Sequence, residues 1–235
     1  AQRYAQATVM GLDLALGMLA SAQRQHHGWP RRLMPWVGNT PRYLAGDLES
    51  LPLAASSVNL LWSNFALQWS NDVGAAFKEF FRVLAPQGLL MFSSLGPDTL
   101  RELRQAVTGL DGHTHVNRFI DMHDLGDLLT YAGFSAPVVD MEYFTLTYTD
   151  LDDLLKELKA LGAHHVSHGR QRGLMGKQRW QAMRQNYEKL RRDGRLPATY
   201  EVIYGHAWVG EKKPATFDGR RIIELKIQTR RAGLP

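Results

Sequence analysis

Two aspartates stand at matching places in a repeating pattern. Asp13 closes the apolar run TVMGLD (8–13), and Asp47 closes RYLAGD (42–47), with one helix-like stretch and a loop between them. In an open α/β sheet, ligands bind beyond the carboxyl ends of the strands. A carboxylate there can accept both hydroxyls of a ribose. One inside a turn such as GDLESLP can accept an exocyclic amino group while a neighbouring backbone N–H reads a ring nitrogen. The chemistry suggested is recognition of a nucleoside. A strand-end Asp is also a common turn residue, so the pair carries more than either acid alone. A third apolar run, VNLLWSN (58–64), brings Ser63 and Asn64 to the same edge, with Gln68 and Trp69 on the first turn beyond it. The plainer reading of that turn is a buried Trp and a helix cap.

The elements that must position these residues alternate. A helix over 15–27 follows the first strand. Asn71 or Asp72 can cap the next, which carries Val73, Phe77, Phe80, Phe81 and Leu84 on one face. In LAPQGLLMFSSL, Pro86 and Gly88 break that helix and a strand runs over 88–95. A helix and turn over 123–134 lead to a strand over 137–148. Strand and helix alternate with short connections, and VNLLWSN is short and largely apolar as a strand buried on both faces should be, so the fold class is α/β with a mostly parallel sheet.

Two stretches interrupt the rhythm. Residues 97–121 are a polar excursion. Residues 149–196 insert two amphipathic helices before the last clear strand, TYEVIYGHAWVG (199–210). The first has a stripe of Leu151, Leu154, Leu155, Leu158 and Leu161, with Thr149 or Asp150 as cap and Gly162 as stop. The second has Trp180, Met183, Tyr187 and Leu190. Such a pair suggests a lid over the carboxyl edge. The tail, 211–235, holds RIIELKI among basic residues and reads as an edge strand or partly disordered chain.

Composition removes several alternatives. The 235 residues contain no cysteine, which excludes disulfides, a thiolate nucleophile and thiolate-bound metal. No uninterrupted apolar run approaches the ~18 residues of a membrane span. The net charge of +5 is uneven: His164–Arg195 holds nine Lys/Arg against two Asp/Glu, a local +7 that leaves −2 for the rest. That concentration suggests an acidic partner or a solvated helix face. Nucleic acid is disfavoured, since the aromatics of the segment, Trp180 and Tyr187, belong to its apolar stripe.

Five segments together resemble the malonyl-acyl carrier protein O-methyltransferases of biotin synthesis, within the class I S-adenosylmethionine-dependent methyltransferases. They are VMGLDLALGML, GDLESLPLAASSVNLLWSNFALQW, RVLAPQGLLMFSSLGPDTLRELR, HVNRFIDMHDLGDLLTYAGF and GRQRGLMGKQRWQ. The first three are general to class I and the last two are narrower. The likeness runs from residue 1 to about 213.

The resemblance implies a Rossmann-like sheet with helices on both faces and a helical lid inserted before the last strand. Its expected divisions are a core over 1–148, the lid over 149–196, a final core strand over 197–212 and a tail over 213–235. Family members begin with a helix, a strand and a glycine-rich loop that precede anything matched here, so the resemblance implies that the first strand and that loop are missing. Weak binding of S-adenosylmethionine by residues 1–235 alone would follow. Asp13 matches the ribose-binding acid, Asp47 and Leu48 the adenine-reading pair, and Ser63 and Asn64 the strand end near the sulfonium. Gln68 and Trp69 fall on the substrate side.

The implied substrate is a malonyl thioester on an acidic acyl carrier protein, which suits the basic segment 164–195. Its free carboxylate calls for an Arg partner; Arg118, Arg170 and Arg172 are the candidates. No general base, catalytic side chain or metal is required, and a cytoplasmic location is expected. The same motifs leave open a relative that modifies a protein side chain, a small-molecule carboxyl methyltransferase and a non-catalytic copy.

Overall fold

The computed structural model describes residues 6–26, 41–110, 119–160 and 176–210. In chain order these form β1 (Met10–Asp13), α1 (Leu16–His26), β2 (Arg42–Ala45), β3 (Val58–Asn64), a 3-10 turn (Leu67–Trp69), α2 (Val73–Val83), β4 (Leu84–Leu95) and α3 (Arg101–Val107). They continue with α4 (Met122–Ala132), β5 (Ser135–Tyr148), α5 (Leu151–Ala160), α6 (Lys177–Glu188) and β6 (Leu196–Trp208).

β1 and β2 pair in parallel as one ladder, and β3, β4, β6 and β5 lie in that order in another. β3 and β4 are parallel, while β6 is antiparallel to both its neighbours. β5 therefore runs with β3 and β4, and Asn64, Leu95 and Tyr148 all finish at one carboxyl edge. The last two strands lie side by side in one sheet and run antiparallel. The β1–β2 pair is not hydrogen-bonded to it, and β1 and β3 each have a single strand partner.

Apolar spacing explains the main core. α2 is capped by Asp72, whose side chain accepts from Ala75 N at 3.0 Å. It buries Val73, Ala76, Phe77, Phe80 and Val83, a 3–4 residue stripe. These meet the inward residues of the sheet, with Phe77 and Phe92 rings 5.4 Å apart. α4 adds Leu125 and Leu129 to the same face and stops at Gly133, whose φ of +100° suits a residue without Cβ. A second cluster joins α3, α5 and α6 to the ends of β5 and β6 around Leu103, Leu154, Met183 and Tyr187. Because α3 follows β4 and α5 follows β5, this helical layer sits at the carboxyl edge.

Several expectations need correction. Pro86 and Gly88 do not delay the strand: β4 begins at Leu84, and the register jumps from Val58↔Leu84 to Leu60↔Leu89. The extra residues are absorbed in a bulge, the place where a sheet tolerates Pro. The excursion at 97–121 contains α3, a short helix whose buried Leu103, Ala106 and Val107 are interleaved with Arg101, Arg104 and Gln105. Trp180 is 37% exposed, because α6 packs through Met183 and Tyr187 further along. Leu161, Gly162 and the RIIELKI stretch lie outside the described residues.

Candidate functional site

A cavity of 350 Å³ opens between β1 and β3, and its lining includes Leu12, Asp13, Leu48, Leu51, Ser63 and Asn64. Two strand ends and the loop after β2 thus converge. Asp13 closes β1; its Oδ1 accepts Ala15 N at 2.8 Å, which fixes the carboxylate at the entry to α1. Leu48 lines the wall and packs onto the core. Its neighbour Asp47 is exposed and is not part of the lining: its Oδ1 accepts Glu49 N at 3.0 Å in a tight turn.

The loop that carries Asp47 and Leu48 is fastened to α2. Glu49 Oε1 accepts Asn71 N at 2.6 Å, Ser70 Oγ at 2.9 Å and Asp72 N at 3.1 Å. Those donors, the Asp72 amide foremost, hold the Glu49 carboxyl below its ordinary range. Glu79 Oε2 accepts Leu51 N at 2.9 Å, and Arg82 donates to the carbonyls of Leu51 and Leu53, each at 2.9 Å. The hydrogen bond from Arg82 lowers the Glu79 pKa as well. Of these residues only Asp47 and Leu48 stand out in the sequence. Glu49 lies within GDLESLP, but its partners are more than twenty residues away. Glu79 and Arg82 read as an ordinary i,i+3 pair on a polar helix face.

At the end of β3 the backbone turns sharply, with Phe65 at φ +48°, an unfavourable value for a bulky residue. Ser93 Oγ on β4 donates to Asn64 Oδ1 at 2.7 Å and accepts Phe65 N at 3.2 Å, holding the turn. Ser63 is 5% exposed, and its Oγ has no hydrogen-bond partner among the described residues. A buried hydroxyl left unpaired beside a cavity is costly unless a ligand serves it. Gln68 Oε1 is likewise buried and unpartnered, and Trp69 is 49% exposed; neither belongs to the cavity lining. Arg118, Arg170 and Arg172 lie outside the described residues.

The carboxyl end of this slot, where Asp13, Leu48 and Ser63 stand, has the makings of a nucleoside site; the rest of its lining, Met10, Leu60 and Trp62 among it, runs along the edges of β1 and β3. Asp13 offers a hydroxyl-binding carboxylate, Leu12, Leu48 and Leu51 offer apolar wall, and Ser63 offers a spare donor and acceptor. Among the described residues no group of His, Asp or Glu is arranged to hold a metal ion, and no helix is long and apolar enough to cross a membrane.

Comparison with known proteins establishes the fold and the family. The methyltransferase domain family matches residues 1–92. Among solved structures, the YcgJ protein of Bacillus subtilis superposes with a TM-score of 0.57 at 14% identity, over 87% of this chain and 83% of that one. The fold is that of the class I methyltransferases, Rossmann-like α/β proteins. The malonyl-[acyl-carrier protein] O-methyltransferase of Gallionella capsiferriformans is 53% identical over 97% of this chain and 77% of its own length. That of Laribacter hongkongensis is 53% identical over 95% and 75%. The chain belongs to the malonyl-[acyl-carrier protein] O-methyltransferase family.

Proposed function

We propose that this protein transfers a methyl group from S-adenosylmethionine to the free carboxylate of a malonyl thioester on acyl carrier protein, an early step of biotin synthesis. The observation that carries the reading is the 53% identity, across nearly the whole chain, to relatives named for that reaction. The cavity at the ends of β1 and β3 supports it.

When bound, S-adenosylmethionine supplies a methyl carbon on a positively charged sulfur, which an oxygen nucleophile can take while the C–S electrons return to sulfur. Asp13 would hold the ribose hydroxyls, with Leu48 and Leu51 against the base. Ser63 and Asn64 would lie toward the reacting end, where Ser93 fixes the Asn64 amide. The chain needs no general base, since the malonyl carboxylate is already ionised near pH 7. Its task is to align the two reactants and exclude water, which alone accounts for large rate gains. Incubation of the protein, and of a copy extended by the family's N-terminal strand and glycine-rich loop, with S-adenosylmethionine and malonyl-loaded carrier, followed by mass spectrometry, tests this. A gain of one methyl on the malonyl group is expected from the extended copy; an unmodified malonyl group there would refute it.

The acidic carrier would meet the basic segment 164–195. Within its described part, Arg184 pairs with Asp152 and Arg191 with Glu188, while Arg195 donates to Thr147 O at 2.7 Å. Those cations hold the helical layer to β5 and to itself; Lys177, Lys189 and Arg192 are further cations of the segment, with no ion pair among the described residues.

A further inference from the structure

A groove of 570 Å³ separates α3 from α6. Arg101, Arg104 and Lys189 line it together with Gln105, Asn186 and Leu190, and among the described residues no carboxylate does. Arg104 is fixed: its guanidinium donates to Pro97 O at 2.7 Å and Thr99 O at 3.1 Å, both neutral acceptors. Its charge therefore has no carboxylate partner among the described residues. Among the described residues Lys189 Nζ bonds a neutral amide oxygen, Asn186 Oδ1, at 3.0 Å. Arg101 is 54% exposed at its side chain and has only long approaches to acids, 3.9 Å to Asp98 and 3.5 Å to Glu102.

Both acids are engaged elsewhere. Asp98 accepts Tyr143 OH at 3.0 Å. Glu102 is 8% exposed and accepts Thr199 N at 2.9 Å and the Thr199 hydroxyl. An adjoining hollow shares Arg101, Gln105 and Leu190 and adds Arg192, together with the Glu102 carboxylate that Thr199 engages. The result is one concave strip rich in positive charge, contributed by α3 and by the turn that follows α6.

We infer that this groove is the docking surface for the acidic carrier protein, an inference that rests on the functional reading above. Charge complementarity selects an acidic protein face. Location agrees: α3 leaves the carboxyl end of β4, so a partner seated there stands at the edge where Asn64 and the cofactor cavity lie. Two of the three cations lining the groove, Arg101 and Arg104, lie outside the basic segment that composition singles out.

The test compares wild type with R101E/K189E, the neutral R101Q/K189Q, and K78E on the exposed face of α2. Malonyl-carrier binding and methyl transfer are measured at low and physiological salt. The charge reversal should weaken binding roughly tenfold or more at low salt. The neutral pair should lose less, and the difference from wild type should shrink as salt rises. The loss should fall on KM for the carrier rather than on kcat, and K78E should match wild type. Should the reversed protein fail to fold, the neutral pair gives the same reading. Wild-type binding by both double variants, or an equal loss in K78E, would overturn the docking site while leaving the methyl-transfer reading intact. Absence of methyl transfer by the extended copy would overturn both.

Discussion

Ser93 Oγ lies 2.7 Å from Asn64 Oδ1, so a residue of β4 sets the orientation of the amide that ends β3. Ser93 is itself 5% exposed, and it cannot reorient without also disturbing its bond from Phe65 N. Replacing it by Ala should leave the fold intact and weaken S-adenosylmethionine binding by ~0.5–1.5 kcal/mol, the net worth of one neutral hydrogen bond. Calorimetric titration of Ser93→Ala reads this directly, and an unchanged affinity would remove Asn64 from the site.

Asp13 carries more. Its carboxylate would accept two ribose hydroxyls, so Asp13→Ala should cost about 1.5–3 kcal/mol of cofactor affinity, the range for bonds to a charged group. Asp13→Asn, which keeps the bond from Ala15 N, should fall between. Equal affinity in all three proteins would place the nucleoside elsewhere.

Acid should loosen the loop that carries Leu48. Glu79 has its folded pKa lowered below the ordinary 4.5, chiefly by the hydrogen bond from Arg82. Its contribution to stability is therefore fully present above about pH 4.5 and is lost as pH falls through the lower folded value. Thermal unfolding of wild type and Glu79→Gln should differ most at neutral pH and converge on acidification. A gap constant from pH 7 to pH 3 would show that the carboxylate charge is not what holds Leu51 and Leu53.

Gly205 faces the ring of Phe92, and a Cβ there would stand 2.2 Å from Phe92 Cε1. Gly205→Ala should destabilise the sheet by about 1–3 kcal/mol, as overpacked cores do. A denaturant midpoint equal to wild type would mean that Phe92 has room to move.

Much of this molecule is legible in its sequence because period and punctuation agree. The run VNLLWSN is β3 residue for residue, and Asp72 caps α2 just ahead of its apolar stripe. The strand-end rule led to Asp13, Ser63 and Asn64, which the fold gathers at one cavity. What stayed hidden depends on distance in sequence. The bonds from Glu49 to Asn71 and from Ser93 to Asn64 join residues 22 and 29 apart, and no local pattern marks them. Asp47 makes the same turn bond as Asp13, its Oδ1 accepting Glu49 N, yet it is exposed and lies outside the cavity lining. The basic segment was visible as composition. Only the helix packing divides it into cations held in ion pairs, such as Arg184, and cations facing the groove, such as Lys189.

The most direct test of the account is a structure of the protein with S-adenosylhomocysteine bound. The nucleoside should occupy the cavity between β1 and β3, with its ribose hydroxyls on Asp13, its base against Leu48 and a new hydrogen bond to Ser63 Oγ. A nucleoside bound elsewhere, with Ser63 still unpaired, would contradict it.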